Sequence, residues 1–90
     1  MTNDKAAAIN QATIVLEQAT KVLNEARRIL GKSSTRQKEA QRAWEKDKNN
    51  VAKKVAFDNA HAAYNRAVEV AIAAQMAVNA AEKTLNRLKG

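Results

Sequence analysis

Three kinds of side chain in this 90-residue chain could do chemistry: one histidine, one tryptophan and a run of lysines and arginines. His61 has Asp58 and Asn65 one helical turn to either side, a spacing that could serve a metal ion or a proton transfer. No second histidine and no cysteine completes a ligand set. At the margin of a stripe formed by Phe57 and Tyr64, His61 reads as a flanking residue. No Ser/His/Asp or lysine-based nucleophile arrangement stands out, and two glycines cannot build a phosphate-cradling loop. The reading is a non-enzymatic protein with no catalytic residue, metal site or cofactor.

The cations are more informative. Residues 36 to 54 carry Arg36, Lys38, Arg42, Lys46, Lys48, Lys53 and Lys54 against Glu39, Glu45 and Asp47, a net of +4 out of a total of +7. Such a segment suits an acidic protein surface, or phosphate. Interleaved acids with helix-spaced cationic neighbours are equally what a solvated, pair-laced helix face carries. Trp44 sits inside this polar stretch, in QRAWEKDKNN, with little apolar company. It could cap the end of a bundle or anchor a partner, since tryptophan is enriched at interface hot spots. Phe57 and Tyr64, seven residues apart, read as core.

The elements that position these residues are helical. Proline is absent, and twenty of the 41 apolar residues are alanine, the best helix former. Leu, Ile, Val and Phe number only 17, so the core must be thin and a second copy or a partner is a natural complement. Thr2, Asn3 and Asp4 are N-cap types. Ile9, Ala12, Leu16, Ala19, Leu23, Ala26 and Leu30 then alternate three and four apart, with Val15, Val22 and Ile29 widening the stripe on one flank. Arg27 and Arg28 suit a last turn and Gly31 a C′ position, which predicts a first helix over 4–30.

GKSST at 31–35 is the clearest break, with Ser34 and Gln37 spaced as a capping box. DKNN at 47–50 is a weaker one. Two stripes disagree about the core: Ala40, Trp44, Val51 and Val55 on one side, and Phe57, Ala60, Tyr64, Ala67, Ala71, Ala74, Val78, Ala81, Leu85 and Leu88 on roughly the opposite side. A bend near 47–55 reconciles them. The expectation is an all-α single domain over residues 1–90: a small antiparallel bundle or coiled-coil-like hairpin with helices over 4–30, 35–47 and 50–88, the last two either separate or continuous. The last helix also spreads Ala62, Ala63, Val68, Val70, Ile72, Ala73, Met76 and Ala77 around its other sides, so either several neighbours surround it or its alanines are simply exposed.

The N-terminus lacks a basic start followed by a long apolar run, so no signal peptide is expected. VAIAAQMAVNAA at 70–81 is too short and too polar to span a bilayer. A soluble, cytoplasmic protein is the expectation. The stretch KEAQRAWEKDKNNVAKKVAFDNA (38–60) resembles the Ala-, Lys- and Asn-rich coiled-coil hairpins in the receptor-binding regions of nuclease bacteriocins. The resemblance covers about a quarter of the chain and carries no functional motif, and the short GKSST connection departs from the long loop at the tip of those hairpins.

Together these features lead to a helical protein–protein interaction module, self-associating as a homodimer and binding a protein with an acidic surface. Trp44 is its anchor, with Arg36, Arg42, Lys46, Lys48, Lys53 and Lys54 around it. The alternative is a nucleic-acid binder using the same basic segment on phosphates.

Overall fold

A computed structural model describes residues 2–90 as two antiparallel helices, α1 (Thr2–Lys46) and α2 (Val51–Lys89), joined by the tight turn 47–50. The hairpin is a rod 71 Å long and 14 Å across between Cα atoms. This is the all-α hairpin expected, with one correction. The break lies at 47–50 and not at 31–35, so the segments expected as 4–30 and 35–47 are one helix. What precedes Thr2 lies outside the described residues, and the helix already includes Asn3 and Asp4, so neither of them caps it.

The seam explains why α1 runs through GKSST. Ser33, Gln37, Ala40 and Trp44 continue the three-four alternation beyond Leu30, and all are partly buried. Ending the helix at Leu30 would take these four seam residues out of register with α2, so tertiary packing overrides the local signal. Gly31 lies on the exposed side in ordinary helical conformation, and a Cβ added there would meet nothing within 4 Å. The Thr35 hydroxyl donates to the Gly31 carbonyl at 3.1 Å, one helical turn back. Gln37, expected in a capping box, instead points into the seam, where its Oε1 is buried without a hydrogen-bond partner.

At the turn, local chemistry does decide. The Asp47 N–H donates to the Trp44 carbonyl and the Asn50 N–H to the Asp47 carbonyl, both at 3.0 Å. Asn50 has extended backbone (φ −86°, ψ 106°), and its side-chain oxygen accepts from the Lys53 N–H at 3.2 Å. That is an N-cap, which satisfies one of the unpaired amides at the start of α2. With the chain reversed here, Trp44 belongs to α1 and faces α2, whereas Val51 and Val55 point outward at 76% and 50% exposure. The stripe expected to unite all three does not exist.

The core is thin. Ala12, Leu23, Ala26, Ala67, Ala74, Val78, Ala81 and Leu85 are buried, and Leu23, Ala26, Ala74 and Val78 form its centre with Leu16, Ala19 and Ala71 packed against them. Alanine at most facing positions lets the backbones approach closely. The two sides flanking this seam differ. One carries Thr13, Thr20 and Arg27 with Gln75, where the Arg27 guanidinium donates to the Gln75 Oε1 at 2.8 Å across the helices. The other carries Val15, Val22 and Ile29 with Ala63, Val70 and Ala77, and is open to solvent. No helix among the described residues is long and apolar enough to cross a membrane.

Candidate interaction surface at the hairpin tip

The seam ends in an aromatic step. The Trp44 and Phe57 rings stack across the helices with centroids 5.6 Å apart and 15° between planes, and Phe57 stacks in turn on His61 at 6.1 Å. The Lys54 ammonium lies 4.9 Å from the Trp44 ring centroid and 5.7 Å from that of Phe57, within cation–π range. The same ammonium bonds Asp58 at 2.8 Å, one turn along α2. Lys53 reaches back to Asp47 at 3.6 Å, tying α2 to the turn. Trp44 is partly buried and closes the end of the hairpin through its stack on Phe57.

The structure therefore divides the cations that sequence reading grouped together. Lys53 and Lys54 are engaged within the tip. Arg36, Arg42, Lys46 and Lys48 are exposed and, among the described residues, make no ion pair. They do not share one face: Arg36 lies on the flank in line with Ile29, Arg42 on the side away from α2, and Lys48 in the turn. The pair-laced face anticipated for this segment is not formed. Glu45 accepts from the Gln41 amide at 2.9 Å, and Asp47 turns to Lys53.

Three residues that sequence reading assigned elsewhere join this group. Because α1 is unbroken, Arg27, Arg28 and Lys32 continue into Arg36 along one helix, lining a shallow open depression with Gly31 and Thr35. Beyond the Arg27–Gln75 bond, residues 27–75 hold eleven Lys/Arg against five Asp/Glu, a net of +6. The remaining residues hold five against four, a net of +1. The rod is strongly polarised, basic from its middle to its tip. Arg28 is partly neutralised: its guanidinium makes a two-pronged bond to Glu25, which holds that carboxyl below the ordinary glutamate value and raises Arg28 above its own. Charge summed along the unbroken helix is the signal that would have found these residues.

His61 is exposed against the Phe57 ring, and no group of three or more His, Cys, Asp or Glu side chains comes together among the described residues. No protein-family model matches the chain, and neither does any curated protein or solved structure.

Proposed function

We propose that the hairpin is a non-enzymatic, self-associating protein–protein interaction module whose basic distal half receives an acidic protein surface. The polarised charge carries this reading: +6 beyond the Arg27–Gln75 bond against +1 elsewhere is a field that steers an acidic partner to one end of the rod. Trp44, held by Phe57 and only partly buried, is the anchor, because a pre-packed aromatic loses little freedom on binding. Arg36, Arg42, Lys46 and Lys48 supply the steering charge, while Lys53 and Lys54 keep the tip rigid.

The unbroken line of Arg27, Arg28, Lys32 and Arg36 favours a second reading, in which the same half binds nucleic-acid phosphates. One titration separates the two. A labelled DNA duplex and an RNA are each followed by anisotropy at about 50 and 200 mM salt, where roughly six phosphate contacts lose orders of magnitude in affinity. The first reading expects no binding at low salt. It also expects capture of an acidic protein from nuclease-treated extract that Arg42→Glu with Lys48→Glu abolishes. Tight nucleic-acid binding that collapses with salt would replace it by the second.

A further inference from the structure

We propose that two copies of the hairpin pair through the Val15/Val22/Ile29 flank into a four-helix bundle with their tips at opposite ends. This deepens the self-association in the reading above and rests on it, but uses none of the tip residues. On α1, Val15, Val22 and Ile29 recur every seven residues at 45%, 59% and 44% exposure. On α2, Ala63, Val70 and Ala77 recur at the same interval, and Val70 is 56% exposed. The two rows run side by side: Ile29 borders one groove with Ala63 and Val70, and Val15 borders the next with Ala77. A single layer of two helices has nothing beneath this face.

Size and charge both point to a second copy. From Val15 to Ile29 on α1, and from Ala63 to Ala77 on α2, each row is about 21 Å long, and two helices side by side are about 20 Å wide, which makes roughly 400 Å². That is the size of the largest apolar patch on a typical monomer and supplies about half of the ~800 Å² per partner of a stable interface, the rest coming from the rim around it. Arg66 is the one charged residue lining the two grooves, so the occupant must present a largely uncharged strip of similar length and width, and a copy does so by identity. None of the six side chains in the two rows is charged, whereas the chain as a whole carries +7 and repels a copy through most other surfaces.

Charge also selects the orientation. Tips at the same end would set one +6 half against the other. Tips at opposite ends lay each basic half against the other copy's near-neutral half. Val22 is the middle member of its row, so a two-fold axis there brings Val22 of one copy over Val22 of the other. Val15 of each then meets Ile29 of the other, and the four exposed aliphatics become a shared core.

Sedimentation equilibrium of the full chain tests this. At about 50 µM the expected mass is twice 9.8 kDa. Val22→Glu places a charge at the centre of the strip and should weaken association by at least about 100-fold, giving the single-chain mass with unchanged helical circular dichroism. Ile72→Glu, similarly exposed at 56% but on another side of α2, should leave the dimer intact. A wild-type chain that stays monomeric, or Val22→Glu that stays dimeric, overturns the proposal, as does equal disruption by both variants. Spin labels on Lys48→Cys should lie more than about 60 Å apart in the dimer, and a separation near 30 Å would overturn the opposed orientation. A monomer in these experiments leaves the tip reading standing, and loss of partner capture by tip variants leaves the dimer standing.

Discussion

Trp44 and Phe57 stand on different helices, four residues of turn between those helices, with their rings stacked 5.6 Å apart. The pair joins the last turn of α1 to the first turns of α2, where the other apolar side chains are alanine and the outward-facing Val51 and Val55. Trp44→Ala should therefore cost about 1–3 kcal/mol, less than a fully buried tryptophan because the residue is only partly buried. Phe57→Ala should cost a similar amount. The double variant should lose less than the sum, by about 0.5–1.5 kcal/mol, in denaturant unfolding followed by circular dichroism. A Trp44→Ala chain as stable as the wild type would mean that the ring serves a partner alone.

Gly31 offers a test of where the chain turns. In a helix interior with open space at its Cβ, Gly31→Ala should stabilise the protein by about 0.5–1 kcal/mol by reducing the freedom of the unfolded chain. At a C′ position in left-handed conformation the same change would destabilise. The sign of the shift in unfolding midpoint decides between one α1 and two shorter helices.

Leu23 is the largest side chain at the centre of the buried cluster, packed with Ala26, Ala74 and Val78. Leu23→Ala should cost about 2.7–5 kcal/mol, a large share of the stability of so small a fold. Ile14→Ala, at a site 46% exposed, should change stability by no more than about 0.5 kcal/mol. Equal melting temperatures for the two variants would mean that the seam is not where the hairpin is held.

Glu25 and Arg28 predict a pH effect with a definite sign. The Arg28 hydrogen bond lowers the Glu25 carboxyl below the ordinary glutamate value. A depressed acid contributes stability above its unfolded pKa and loses it as pH falls through the folded one. Carbon-detected NMR should show Glu25 titrating below the ordinary glutamate value, and Arg28→Gln should raise it towards that value. Because both side chains are about half exposed, added salt should shrink the difference.

Much of the fold was legible in the residues. The absence of proline permits helix, and the alanine content and the three-four alternation from Ile9 to Leu30 favour it. The Phe57-to-Leu88 stripe named the face of α2 that packs, and the asparagines of 47–50 named the residue type that caps it. Both rest on interactions within one or two helical turns, and such interactions are written locally.

Only the tertiary structure decided which break is real. Gly31 and Ser34 send a stop signal worth about 1 kcal/mol, and it is outweighed because Ser33, Gln37, Ala40 and Trp44 keep their places against α2. DKNN succeeds because no seam residue falls within it. The same decision put Trp44 against Phe57 from the other helix, turned Val51 and Val55 outward and joined Arg27 to Lys54 as one basic half. It also aligned Val15, Val22 and Ile29 with Ala63, Val70 and Ala77 across the two helices. Sequence alone determined the helices and their faces, because those follow from residue periodicity. Which faces meet, and which are left open, followed from the position of one four-residue turn that local propensities ranked second.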